Sequence, residues 1–225
     1  MKNVLVIAPH PDDEVLGAGG TIKRLSDAGY GIYILTVAAH MPPYYSKEVH
    51  QQTIEESRTA HRILGVTESF YSDQPALLLR DRPVAEINRL ITDKIAEIQP
   101  SILLMPFYDR HIDHRVVFDA CMVASRPVGV GRSLSLVACY EAISETHWNA
   151  AGIEPVFAPN LTIDITNTIE TKLKAMECFK SQLHAFPGPR SPEALKALAL
   201  FRGSQAGFAY GEAFHIIRMT EGLFV

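Results

Sequence analysis

Residues 3–20 read NVLVIAPHPDDEVLGAGG, and this stretch decides the fold. Residues 3–8 are mostly apolar, which is typical of a buried strand. His10 and three consecutive acids follow, and residues 13–28 then have the apolar spacing of a helix. A strand that leads into a helix through a short polar turn is the first half of a β-α-β unit. The stretch therefore predicts a parallel sheet covered by helices.

The same alternation continues along the chain. The further predicted strands are 30–38, 66–71, 101–105 and 134–141, and the further predicted helices are 47–64, 84–98 and 113–124. Two more helices, 168–183 and 192–205, and a last strand, 212–219, follow in a region interrupted by prolines. We predict one domain over residues 1–225, an α/β three-layer sandwich with a Rossmann-like, mostly parallel sheet. We expect the last strand to form an edge of that sheet.

The composition argues against several classes of protein. Of the 225 residues, 47% are hydrophobic and 20% are charged, which is typical of a globular chain. The net charge of −4 comes without a basic stripe, so we expect no nucleic-acid partner. The apolar runs are too short for a membrane span and no signal peptide is visible, so we expect no membrane association. Cys121, Cys139 and Cys178 are widely spaced and odd in number, which favours a reducing, cytoplasmic location.

Two polar clusters follow predicted strands. His10, Asp12 and Asp13 follow the first strand, and the run DRHIDH, residues 109–114, follows the fourth. Open parallel sheets bind ligands at the carboxyl ends of their strands, so the clusters meet if these two strands are neighbours. Imidazole and carboxylate groups together suit a zinc-like divalent ion, with one position left for water. Such an ion also stabilises a group of acids that would otherwise repel one another.

Each cluster alone also has a simpler interpretation, which the sequence leaves open. Acids in the first turn of a helix complement its dipole, and Asp113 suits an N-cap position. The glycines at positions 17, 19 and 20 lack the spacing of a nucleotide-binding loop, so we interpret them as sites of close helix packing. The loop 41–45, MPPYY, suits either a lid over the site or a loop packed on itself. We interpret the histidines outside the two clusters, among them His40 and His61, as surface or core residues.

The two clusters also resemble a known family. APHPDDE near the N-terminus, followed by DRHIDH about a hundred residues later, is similar to the LmbE-like, or PIG-L, family of zinc-dependent deacetylases. Further similar segments are PNLTIDITNTIETK (159–172), SQ (181–182), FPGPRS (186–191) and the residues Arg202, Gly203, Gly207, Glu212, Ala213 and Phe214. The resemblance covers nearly the whole chain and implies the fold and the chemistry of that family.

This resemblance implies a role for each polar residue of the two motifs. The residues implied to bind zinc are His10, Asp13 and His114. Asp12 is implied to be the general base, and His111 to stabilise the tetrahedral intermediate and to protonate the leaving amine. Asp113 is implied to orient His111. Amide hydrolysis makes the same demands, since it needs an activated water, a base within reach and a positive group beside the oxyanion.

The substrate-binding residues follow the family less closely. Thr53 stands where relatives have an arginine that helps to hold the substrate. Arg110 adjoins the second motif, and we expect it to contact the substrate. Arg190 and Arg202 are further candidates, and for Arg202 we favour a structural salt bridge, with Glu212 as its partner.

The sequence supports three hypotheses for the function. The first is a zinc-dependent hydrolase that removes the acetyl group of an N-acetylated amino sugar of the N-acetylglucosamine type, with a small-molecule sugar conjugate as its partner. The second is an amidase of the same fold that acts on a different acyl amide. The third is a non-catalytic protein that binds a metal or a sugar nucleotide. Since relatives are often homo-oligomers, the resemblance also implies an oligomer.

Overall fold

The computed structural model describes residues 2–221. The strands are β1 (Asn3–Ala8), β2 (Gly31–Ala39), β3 (Glu68–Pro75), β4 (Ile102–Pro106), β5 (Leu136–Tyr140), β6 (Leu161–Asp164) and β7 (Gly211–Met219). They form one sheet of seven strands in the order β3-β2-β1-β4-β5-β7-β6. The pairs from β3 to β5 are parallel, and β7 runs antiparallel to both of its neighbours.

Helices cover both faces of the sheet. They are α1 (Asp13–Asp27), α2 (Lys47–Leu64), α3 (Val84–Ile98), α4 (Ile112–Ala124), α5 (Ile169–Met176) and α6 (Pro192–Ser204). Within residues 2–221, none of the helices is long and apolar enough to cross a membrane.

The side chains of β1 show how the core is divided. Val4 and Val6 face a core that includes α1, α2, α5 and α6, whereas Leu5 and Ile7 face a core that includes α3 and α4. All four side chains are fully buried, as expected of a central strand covered on both sides. The predicted three-layer α/β sandwich with a mostly parallel sheet is confirmed.

Local signals fix several elements at the predicted bounds. β1, α2 and α3 begin and end where the sequence predicts. Helix α2 has both of its end signals. The side chain of Ser46 accepts a hydrogen bond from the backbone N–H of Val49, and Gly65 ends the helix in the left-handed conformation, with φ of 76°.

Two predictions for the C-terminal half are wrong. β7 does not form an edge, because β6 lies beyond it. The sequence missed β6, which has only four residues, all of them partly exposed. The predicted helix 168–183 ends at Met176. There the chain turns so that Phe179 is fully buried, and the backbone N–H of Phe179 bonds to the carbonyl of Met176, 3.0 Å away.

Helix α1 packs closely on the sheet through its glycines. A Cβ atom added to Gly17 would lie 2.2 Å from the ring of Tyr140, and one added to Gly20 would lie 2.8 Å from Ile165. No side chain fits at either position without a shift of its neighbours. The interpretation of these glycines as packing sites is confirmed.

A buried ion pair anchors the same helix. The carboxylate of Glu212 accepts hydrogen bonds from the backbone N–H groups of Gly20 (2.9 Å) and Thr21 (2.7 Å). Lys172 donates to this carboxylate at 2.6 Å and to the carbonyl of Leu16 at 2.8 Å. Lys172 and Glu212 thus form hydrogen bonds with backbone N–H and carbonyl groups of α1, and they connect this helix to α5 and β7.

Arg202 has a different partner from the one expected. Its guanidinium donates two hydrogen bonds to Glu141, at 2.8 and 2.6 Å. The prediction of a structural salt bridge is therefore confirmed, but the expected partner, Glu212, is wrong, because Lys172 already occupies that carboxylate.

Candidate metal centre and active site

The two polar clusters meet at the carboxyl edge of the sheet, because β1 and β4 pair directly. Asp13 begins α1 and His114 lies in the first turn of α4; both are at most 1% exposed. Oδ2 of Asp13 lies 3.2 Å from Nδ1 of His10 and 3.1 Å from Nε2 of His114. The three side chains implied as zinc ligands therefore surround one buried point.

The donor atoms at this point fit a divalent cation. Nitrogen atoms of His10 and His114, the two histidines implied as ligands, lie within 4.8 Å of each other, and a nitrogen of His111 lies within the same distance of both. Nε2 of His114 is buried and makes no hydrogen bond within residues 2–221, despite its approach to Asp13. A buried lone pair without a partner is costly, and a shared cation would satisfy both it and the neighbouring carboxylate.

Electrostatics at this point also favours positive charge. Burial alone would lower the pKa of His10, but hydrogen bonds with Asp113 and Asp13 raise it to about 9. Burial likewise opposes the charged form of His114, yet Asp13 and Asp109 raise its pKa well above the ordinary value. A divalent cation held by neutral imidazoles would supply the positive charge that these acids stabilise.

Asp109 fixes the orientation of His114. This carboxylate is fully buried, and its Oδ2 lies 2.9 Å from Nδ1 of His114 and accepts a hydrogen bond from Thr146 at 3.1 Å. A carboxylate at Nδ1 leaves Nε2 free to face the ligand point, as is usual behind metal-binding histidines. Asp109 belongs to the second polar cluster of the sequence, but no local pattern predicts its contact with His114.

Asp113 contacts His111 through its backbone rather than its carboxylate. The N–H of Asp113 donates to Nδ1 of His111 at 3.2 Å, which makes His111 the N-cap of α4. The alternative of Asp113 as the N-cap is therefore wrong. Oδ2 of Asp113 instead accepts from the N–H of Leu77 at 2.7 Å and lies 3.0 Å from Nε2 of His10.

His111 is held as a hydrogen-bond donor toward the cavity. Because its Nδ1 accepts a hydrogen bond, the hydrogen of the neutral ring is on Nε2. Burial, together with the neighbouring charges of His10 and His114, lowers the pKa of His111 to about 4.

Asp12 is the N-cap of α1 and has an unusual backbone φ of 120°. The residue is 1% exposed, and its Oδ2 makes no hydrogen bond within the described part of the chain. Nη1 of Arg190 lies 3.6 Å from this oxygen. Burial raises the pKa of Asp12 to about 7, although the charge of Arg190 opposes the shift. A carboxylate with these properties suits a general base.

A cavity of about 140 Å³ opens over these groups. Its lining residues are His10, Asp12, His40, Tyr45, Ala76, Leu77, His111, His114, Glu145, Gln182 and Arg190. A larger groove of about 450 Å³, between α3 and α4, shares no lining residue with it. The predicted catalytic groups Asp12 and His111 therefore line the same small space as His10 and His114, two of the residues implied as ligands.

Sequence reasoning missed part of this lining. The ring of His40 lies parallel to that of His10, with centroids 5.9 Å apart, and the ring of Tyr45 is 4.7 Å from that of His40. His40 directly follows β2, which is the same signal that identified His10 after β1. The loop 41–45 thus contributes Tyr45 to the cavity. Glu145 lies in an irregular segment after β5, and no motif or spacing in the sequence predicts that it lines the cavity.

The two candidate arginines lie in different places. Arg110 is exposed and is not among the residues that line the cavity. Arg190 lines the cavity, and it donates hydrogen bonds to Oε1 of Gln182 at 2.9 Å and to Oγ of Ser144 at 3.2 Å. These bonds hold its guanidinium beside Asp12.

A carboxylate base and an N–H donor that flank a cation site are what the hydrolysis of an amide requires. The fold and the site therefore define an α/β amide hydrolase. Residues 5–125 match the model of the PIG-L family, described as GlcNAc-PI de-N-acetylase. The chain belongs to this family, and the resemblance drawn from the two motifs is confirmed.

Similar proteins cover nearly the whole chain. The chain is 31% identical to a diacetylchitobiose deacetylase of Thermococcus kodakarensis, over 100% of this chain and 85% of that protein. The structure of N,N'-diacetylchitobiose deacetylase from Pyrococcus horikoshii has a TM-score of 0.73 and 27% identity, and covers 99% of this chain and 85% of that one. A conserved protein from Thermus thermophilus has a TM-score of 0.77 and 28% identity, with coverage of 96% of this chain and 94% of that one. The two deacetylases are amide hydrolases, in agreement with the class defined by the site.

Proposed function

We propose that this protein is a zinc-dependent hydrolase that removes the acetyl group from an N-acetylated amino sugar. The observation that carries the proposal is the position of Asp12, which lines the cavity beside the converging side chains of His10, Asp13 and His114. Its Oδ2 makes no hydrogen bond within residues 2–221. A site that only binds a ligand has no need of a spare base. The deacetylases of Thermococcus and Pyrococcus support the choice of an acetylated sugar.

The residues of the chain divide the reaction between them. His10, Asp13 and His114 would hold the zinc ion, which would act as a Lewis acid and lower the pKa of a water molecule to roughly 7. Asp12 takes a proton from the attacking water, and Nε2–H of His111 donates a hydrogen bond to the carbonyl oxygen as it gains charge. The C–O bond of acetate forms and the C–N bond breaks. Asp12 then gives the proton that it took from the water to the nitrogen of the leaving amine, and the carboxylate of Asp12 is restored.

The size of the cavity indicates which part of the substrate enters it. About 140 Å³ is well below the roughly 300–1,000 Å³ of a pocket that encloses a drug-sized ligand. The acetamido group and part of one sugar ring fill such a space, so the rest of the conjugate lies at the mouth. Of the two candidate arginines, we propose Arg190 as the substrate contact, because it lines the cavity and Arg110 does not.

Acetate release and metal content test the proposal together. Protein loaded with one equivalent of zinc would be mixed with N-acetylglucosamine conjugates and with their N-propionyl counterparts. We expect acetate and a free amine from the N-acetyl compounds. A faster release of propionate would favour the amidase of different specificity, and tight binding without any turnover would favour a non-catalytic binding protein.

We also propose a cytoplasmic location. Cys121, Cys139 and Cys178 are all unpaired, and the first two are buried in the core. Unpaired thiols are typical of proteins from a reducing compartment. The expected homo-oligomer stays a prediction, which the mass of the protein in solution would test.

A further inference from the structure

Asp12 has a backbone conformation that residues other than glycine rarely adopt. Its φ is 120° and its ψ is −28°. The carbonyl of Asp12 accepts hydrogen bonds from the N–H groups of Val15 (3.0 Å) and Leu16 (2.9 Å), so the unusual conformation starts α1. Strained residues of this kind persist only where the surrounding structure holds them. The position of Asp12 therefore depends on contacts made outside the cavity.

We propose that His61 is a positioning residue for Asp12 and acts through Glu14. Glu14 reaches back along its own helix, and its Oε2 accepts a hydrogen bond from the backbone N–H of Asp12 at 3.3 Å. Its other oxygen, Oε1, lies 2.9 Å from Nε2 of His61 in α2. Glu14 is completely buried and His61 is 2% exposed, so water does not replace either contact.

The other nitrogen of His61 is fixed by the sheet. Nδ1 lies 2.7 Å from Oγ of Ser69 in β3. Because a carboxylate only accepts, Nε2 of His61 carries the hydrogen that goes to Glu14, while Nδ1 contacts the hydroxyl of Ser69. The contacts from Ser69 through His61 and Glu14 to Asp12 therefore connect β3 and α2 to the loop after β1.

The same contacts leave the metal ligands largely independent. Asp13 is held by the backbone N–H of His10, which donates to its Oδ2 at 2.9 Å. His114 is held by Asp109. Loss of the His61 imidazole would leave Oε1 of Glu14 buried without its partner, and Glu14 would then shift and release the N–H of Asp12. The base would move while the ligands stay in place.

This inference rests on the proposed deacetylase activity, and the variants His61→Leu and His61→Gln test it. Leucine fills the space without a donor, whereas glutamine can donate to Glu14. For His61→Leu we expect kcat to fall on the order of ten- to a hundredfold, with KM within about twofold of wild type and zinc content unchanged. His61→Gln should recover most of the loss. Ile91→Ala, on the opposite face of the sheet, is the control for general destabilisation.

A milder variant and a structural readout make the test decisive. If His61→Leu does not fold, Ser69→Ala removes the outer contact and should show the same pattern with a smaller effect. A crystal structure of the folded variant measures the backbone φ of residue 12. We expect this angle to differ from the 120° of the wild-type protein. An unchanged φ, or a loss of kcat no greater than in Ile91→Ala, would overturn the role of His61. Failure of the wild-type protein to release acetate would overturn the proposed function instead, and φ would still decide the inference.

Discussion

Nε2 of His114 lies 3.1 Å from Oδ2 of Asp13, although one residue follows β4 and the other follows β1. The contact depends on the order of the sheet, which places these two strands side by side. It joins the two motifs into one buried donor set.

Removal of His114 should abolish metal binding. We expect about one zinc ion per wild-type chain and close to none in His114→Ala, because a buried imidazole with a free lone pair is lost. Metal analysis after dialysis measures this directly. Addition of a chelator should also lower the Tm of the wild-type protein and leave that of His114→Ala unchanged, since only the former gains stability from the metal. Retention of zinc by the variant would contradict the ligand assignment.

Replacement of Asp12 should separate catalysis from metal binding. In Asp12→Ala we expect kcat to fall by roughly 10²–10⁴-fold, the usual contribution of a general base. Zinc content should remain at the wild-type level, because Asp13 and not Asp12 faces the imidazoles. Glu48→Ala, at an exposed position of α2, is a suitable control. Hydrolysis by Asp12→Ala at the wild-type rate would show that another group is the base.

The two arginines offer a matched comparison. Arg190→Gln should raise KM on the order of tenfold or more, because a charged hydrogen-bond donor of the cavity is lost. Arg110→Gln removes the same group from the surface and should change KM by less than about twofold. Steady-state kinetics on one N-acetyl sugar conjugate decides between them. A larger rise in KM for Arg110→Gln than for Arg190→Gln would show that Arg110 is the substrate contact.

Glu141 should contribute to the acid sensitivity of the fold. Burial alone would raise the pKa of this carboxyl, but hydrogen bonds with His147 and Arg202 hold it below its ordinary value of 4.5. Since the pKa is lower in the folded state, the ionised carboxylate stabilises the fold above about pH 4.5. That stabilisation is lost as the pH falls through the lower, folded-state value.

Urea denaturation of Glu141→Gln at several pH values measures this contribution. The variant should be less stable than wild type at pH 7, and the difference should shrink as the pH falls below 4.5. Glu170→Gln, at an exposed position, should differ from wild type by no more than about 0.5 kcal/mol. A difference for Glu141→Gln that is the same at every pH would show that its ionisation does not matter.

The sequence predicts most of the fold because its apolar patterns are local and regular. β1, α2 and α3 are found at the predicted bounds, where each pattern is complete and flanked by turn residues or prolines. β6 was missed because its four residues are all partly exposed and do not form a recognisable apolar pattern. The place of β7 inside the sheet depends on that missed strand, so it could not be predicted from β7 alone.

The candidate site was predictable where residue type and position agree. Histidine and aspartate directly after strands identified the two clusters, and the family resemblance then implied His10, Asp13 and His114 as the ligands. The contact between the Asp113 carboxylate and His10 joins the first turn of α4 to the loop after β1, so no local spacing indicates it. The same holds for Arg202, whose partner is Glu141 because Lys172 occupies Glu212. Long-range pairs of this kind depend on the packed structure, which the sequence pattern does not specify.

Metal-dependent deacetylation is tested most directly by acetate release from N-acetylglucosamine conjugates, measured for the zinc-loaded protein and for zinc-treated His114→Ala. We expect one acetate and one free amine per substrate consumed by the wild-type protein, and none above background in the variant. Equal release by both proteins, or no release by either across the panel, would contradict a metal-dependent deacetylase.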